Sequence, residues 1–84
     1  MNLHQYELEL LRILHEADGR IGFDQVLKRM KARLFKGHPR TAGLTFNTSR
    51  FLKTLIDKEL VICEGEEPAW SFYLSPKGRS QING

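Results

Sequence analysis

Between Asp24 and Asp57 the sequence carries no acidic residue, while Lys28, Arg29, Lys31, Arg33, Lys36, Arg40, Arg50 and Lys53 all fall inside. Cations gathered without compensating acid suit the holding of a polyanion, because each phosphate they neutralise releases condensed counterion. A solvated helix face is the common alternative fate of such a run. The formal charge is +3, from thirteen Lys and Arg against ten Asp and Glu, which is too mild to name a partner. Distribution says more. The acids gather in the N-terminal segment and in "EGEEP", where Glu64, Glu66 and Glu67 crowd one short connection.

Other chemistries find little to work with. His4 and His15 are eleven residues apart and share a helical face, but no third ligand stands at a metal-like spacing. Cys63 is the only cysteine, so no internal disulfide or multi-cysteine zinc site can form, and its apolar surroundings mark it as a small buried side chain. There is no glycine-rich phosphate loop and no Ser-His-Asp grouping, and 84 residues leave little room for a walled pocket. The expectation is a protein that is not an enzyme and takes no cofactor or metal.

A chain of this length holds one core, so residues 1–84 are expected to form a single domain. No basic-then-apolar leader opens the sequence, and no apolar run approaches the roughly 20 residues that span a bilayer. A cytoplasmic location without membrane attachment is the corresponding expectation.

The elements that must carry these residues follow from periodicity. Leu3, Tyr6, Leu10, Leu14 and Ala17 recur at three and four, which predicts a first helix ended by Asp18 and Gly19, with glycine free to take the left-handed conformation. Ile21 has room for a very short strand. A second helix places Phe23, Val26, Leu27, Met30 and Leu34 inward and Lys28, Lys31, Arg33 and Lys36 outward, and Gly37 with Pro39 stops it. "GHPRTAGL" is a loop by composition. The third helix lies in "TFNTSRFLKTLIDKEL", with a buried stripe through Thr48, Phe51 or Leu52, Leu55, Ile56 and Glu59 or Leu60. Thr45 or Asn47 is its predicted cap, the latter with a Phe46–Phe51 staple. Val61 and Cys63, then Trp70, Phe72 and Leu74, alternate as two strands of a hairpin. Ser75 and Pro76 suit the N-cap and first position of a stub helix.

"SRFLKTLIDKELV" resembles the recognition-helix stretch of the MarR and PadR families of bacterial regulators, and "YLSPKGR", Tyr73 to Arg79, resembles the segment by which those families leave their hairpin. The resemblance runs from about Leu8 to Arg79. It implies an α+β fold, the winged helix: a three-helix bundle with a C-terminal two-stranded β-hairpin wing, whose third helix enters the DNA major groove. Glu59 stands where these families usually end the recognition helix with glycine, and the link between helices two and three is longer than theirs. Those families dimerise through a long C-terminal helix, a route that is not expected here with only eight residues following Pro76. The expectation is therefore a monomer or a homodimer made through helix one.

The resemblance turns the basic block into a DNA-binding expectation: a sequence-specific transcriptional regulator with its recognition helix over about residues 45–59. Arg50 is the expected base contact, since its planar fork matches guanine O6 and N7. Asn47 suits adenine, and Thr45, Thr48, Ser49 and Thr54 suit phosphate oxygens. Lys53 and Lys58 are phosphate contacts or plain surface, and Lys36, His38 and Arg40 on the loop suit a flanking phosphate, as do Lys77 and Arg79 after the hairpin. Trp70 is expected to pack on the core, and Phe51 at the stripe's edge to be open to a subunit contact. Glu64, Glu66 and Glu67 would be repelled by DNA, so the hairpin tip is expected to stand away from it, to face a protein partner, or to be a solubilising turn. A winged-helix protein-interaction module using the acidic hairpin or helix three is the alternative.

Overall fold

The computed structural model describes residues 3–35, 43–66 and 69–83. Helix α1 spans Gln5–Ala17. His4 caps it: its Nδ1 accepts from the Tyr6 amide at 3.0 Å, and Glu7 Oε1 accepts from the His4 amide at 3.0 Å, a reciprocal box that satisfies two otherwise orphaned donors. The left-handed residue at its far end is Asp18 (φ 48°), whose amide donates to the His15 carbonyl. Glycine was the expected occupant of that conformation; Asp tolerates it better than most side chains.

Strand β1 is the dipeptide Ile21–Gly22, and helix α2 follows at once as Phe23–Met30. The second helix does not run on as α-helix toward Gly37. It widens into a π-helical turn over Lys31–Phe35, a device that re-aims the side chains beyond it. Gly37, His38 and Pro39 lie outside the described residues.

Helix α3 spans Leu44–Asp57 and starts from Gly43 in the left-handed conformation (φ 79°). Thr45 and Asn47 are thus inside its first turn and neither is its cap. Nor is there a Phe46–Phe51 staple: Phe46 is exposed, and Phe51 stacks on His4 at 4.7 Å and Tyr6 at 5.0 Å, closing the seam between α1 and α3. Leu44, Thr48, Leu52 and Leu55 form the buried stripe. At the far end Glu59 takes φ 63°, its amide bonding the Ile56 carbonyl while the Leu60 amide reaches back to Leu55. This pair of bonds is a Schellman turn with glutamate in the glycine position, and the buried Leu55 and Leu60 supply its apolar contact.

Strands β2 (Val61–Glu64) and β3 (Ser71–Leu74) pair antiparallel in the register Val61 with Leu74 and Cys63 with Phe72. The sheet has three strands in the order β1-β3-β2, with Ile21 opposite Phe72. Trp70 precedes the strand it was expected to open. Helix α4, Pro76–Asn83, is capped by Ser75, whose Oγ accepts from the Gly78 amide at 3.0 Å and donates to the Glu59 carbonyl at 2.6 Å. Sheet and helices close over one core centred on Leu10, Leu14, Val26, Met30, Leu55 and Leu60. No helix among the described residues is long and apolar enough to cross a membrane.

The junction of α3, β2 and α4 yields a pair of opposed predictions. A Cβ on Gly78 would overlap the Leu60 carbonyl, which is backbone and cannot step aside. Gly78→Ala should therefore destabilise by about 1–3 kcal/mol through overpacking. Glu59→Gly removes the left-handed penalty of about 1–2 kcal/mol and adds back about 0.5–1 of unfolded-state entropy, a small net gain. Thermal denaturation followed by circular dichroism should move down by several degrees in the first variant and slightly up in the second.

Candidate functional site

Helical geometry sorts the α3 residues before any partner is considered. At about 100° per residue, Phe46, Ser49, Arg50, Lys53 and Asp57 share one ridge, opposite the buried Leu44, Thr48, Leu52 and Leu55. Every member of that ridge is exposed, as is Thr45 beside it. Arg50 extends over the Phe51 ring, its Cζ 5.3 Å from the centroid, a cation–π contact that holds the guanidinium at the surface. Asn47 is half-buried with its amide nitrogen close against Gly43.

Two of the expected polar contacts are taken up by the fold itself. Thr48 is fully buried, with its Oγ1 unpaired among the described residues, so it belongs to the core and cannot reach a phosphate. Thr54 lies against α1, its hydroxyl between Glu7 Oε2 (2.7 Å) and the Phe51 carbonyl (2.8 Å). Lys58 is similarly engaged, with Nζ 2.9 Å from Glu7 Oε2. Lys36, Arg40 and Glu67 lie outside the described residues.

Glu7 is the centre to which those side chains turn. Burial pushes its carboxyl up, but the His4 amide, the Lys58 ammonium and the Thr54 hydroxyl outweigh burial and hold it below the ordinary carboxylate value. Arg33, expected on the outer face of helix two, instead reaches α1: its Nε is 2.8 Å from Glu9 and its Nη1 2.8 Å from Glu16. Its hydrogen bond holds Glu9 below the ordinary carboxylate range, and both carboxylates raise Arg33. The sequence held a signal for this. Arg33 is seven residues past the buried Val26, and Glu9 and Glu16 are themselves seven apart on one face of α1.

The acidic connection is less acidic than its composition. Glu64 ends β2, where Arg20 Nη2 meets it at 2.8 Å and the Tyr73 hydroxyl donates to it at 2.6 Å. That contact raises the Tyr73 phenol above its ordinary value. Among the described residues, the cations without an ion pair are Lys28, Arg29, Lys31, Arg50, Lys53, Lys77 and Arg79.

Between α3 and the hairpin lies a cleft of about 230 Å³, walled by Phe23, Leu52, Ile56 and Phe72, with Cys63 and the exposed Trp70 on the hairpin side and Ser49 and Lys53 at the α3 rim. Cys63 is half-buried there rather than sealed in the core. Phe46, Glu7 and the Trp70 rim are the features that residue type alone did not single out.

Because Glu7 and Glu9 titrate below the ordinary carboxylate value, their contribution to stability is complete above that value and is lost as pH falls through their folded-state pKa values. Unfolding in urea at several pH values should show stability dropping below about pH 4.5, and Glu7→Gln should flatten that acid limb while costing about 1–3 kcal/mol near neutrality. Thr48→Val, which removes an unpaired buried hydroxyl, should raise stability by about 1 kcal/mol in the same assay. No protein-family model, curated protein or solved structure matches this chain.

Proposed function

We propose that this chain is a winged helix-turn-helix protein that binds double-stranded DNA as a transcriptional regulator resembling the MarR and PadR families. In this reading α3 enters the major groove and the β2–β3 hairpin is the wing. The observation that carries it is the exposed ridge of α3, where Ser49, Arg50 and Lys53 follow one another with no acid before Asp57. A helix fits the major groove, roughly 12 Å wide, and Arg50 and Lys53 supply the donors that guanine edges and phosphates accept. Thr45 and Ser49 are available for phosphate oxygens, and Asn47 stands nearer the helix start.

Charge sorting supports the same reading. Glu7, Glu9, Glu16 and Glu64 each hold a cation, which among the described residues leaves unpaired cations on α2, the π turn, α3 and α4 to act on an external polyanion. The neutralised Glu64 removes part of the repulsion expected of the hairpin, while exposed Glu66 keeps its tip unsuited to lie along a phosphate backbone. Of the large apolar side chains of α1 only Leu8 is exposed, so a homodimer through that helix has little apolar area to bury. The apolar cleft beside Trp70 favours a second reading, a protein-interaction module that seats an apolar side chain of its partner there.

Fluorescence anisotropy with a labelled random duplex separates the two. If about four phosphates are neutralised, affinity should fall about a hundredfold between about 50 and about 200 mM salt. Arg50→Ala with Lys53→Ala should remove most of the binding and lower the salt slope by about two. Absence of duplex binding at low salt, or indifference to those substitutions, sinks the DNA reading and leaves the interaction module.

A further inference from the structure

Phe46 is the most exposed large apolar side chain among the described residues, 70% accessible, on the first exposed turn of α3. Its exposure is unsupported by the fold. The core stripe of α3 runs along the opposite side, and the stacked cluster at the α1 seam uses Phe51 instead. Among the described residues nothing packs over the ring, which leaves its face open to a partner.

Its neighbours narrow the choice of partner. On the helix, Phe46 and Lys53 fall within about 20° of one another, with Ser49 and Arg50 to either side. The ring is therefore a single apolar spot inside a polar, cationic ridge, and not part of the broad apolar patch that marks a protein interface. The next acid along the ridge is Asp57, about three turns away. A convex, cationic ridge with one aromatic matches the chemistry of base edges, where the only apolar group in the major groove is the 5-methyl of thymine.

We propose that Phe46 is a specificity-determining residue that covers the 5-methyl group of a thymine while Arg50, one turn further along, engages the adjacent base pair or its phosphate. The inference rests on the DNA reading above and deepens it: the recognised site contains a thymine at a fixed position. Burying one methyl against the ring is worth about a fourfold gain in affinity.

The test begins with selection of bound sequences from a random duplex pool, followed by anisotropy on the selected duplex with each thymine singly replaced by deoxyuridine, which lacks only the methyl. One position should lose about fourfold in affinity with the unaltered protein and nothing with Phe46→Ala, whose own loss on the thymine duplex is of the same size. Because Phe46 is exposed, circular dichroism should show the variant folded with an unchanged melting temperature. Equal affinity for thymine and deoxyuridine at every position, a methyl dependence that survives in Phe46→Ala, or duplex binding without any enriched sequence would overturn the inference while leaving DNA binding intact. No duplex binding at low salt would overturn the DNA reading and this inference together.

Discussion

A single buried carboxylate fixes how the two long helices meet. Glu7 caps the start of α1 through the His4 amide and, with the same two oxygens, receives Thr54 and Lys58 from the end of α3. A buried ion pair adds little net stability over an apolar substitute of the same shape, yet removing one partner is costly. Its effect is selective: a slip of α1 along α3 by even one residue would strand the carboxylate. The ridge that carries Arg50 and Lys53 is aimed outward because Leu44, Thr48, Leu52 and Leu55 hold the opposite side of α3 in the core, while Thr54 and Lys58 fix the flank against α1.

The same economy governs the other charges. Arg33 bridges Glu9 and Glu16, so the far end of the second helix is drawn onto α1 by a charge that residue type would assign to the surface. Arg20 answers Glu64 across the central strand, passing over the Tyr73 ring. Exposed pairs of this kind are individually worth little, and the Arg33 group gains from being a shared, partly shielded set. With these acids occupied, Arg50 and Lys53 of α3 are left without an ion pair among the described residues.

Much of this was legible in the sequence where a local rule had no competitor. The three-and-four spacing of Leu10 and Leu14, the alternation through Phe72 and Leu74, and Ser75-Pro76 before a stub helix each state one geometry, and each is found. Local rules failed where tertiary contacts outbid them. Thr54 and Lys58 look like surface residues until α1 brings Glu7 to them. Glu59 accepts a left-handed backbone because the Leu55–Leu60 contact and the Ser75 hydroxyl hold the turn closed around it. The π turn over Lys31–Phe35 has no distinct sequence signature, whereas the seven-residue spacing from Val26 to Arg33 was there to be read. Thr48 was legible twice, as core by position and as a phosphate ligand by type, and position prevailed.

The strand order has a consequence in time. β3 is the central strand of the sheet and also the last to be synthesised, pairing with Ile21 some fifty residues earlier and with β2 beside it. As the chain leaves the ribosome at about 5–20 residues per second, α1, α2 and α3 can form and touch, but β1 and β2 have no neighbour until Phe72 and Leu74 arrive. The sheet, unlike the helices, therefore cannot assemble until its final strand has been made, and its β1–β3 pairing is a contact between residues far apart in sequence, the kind that slows folding.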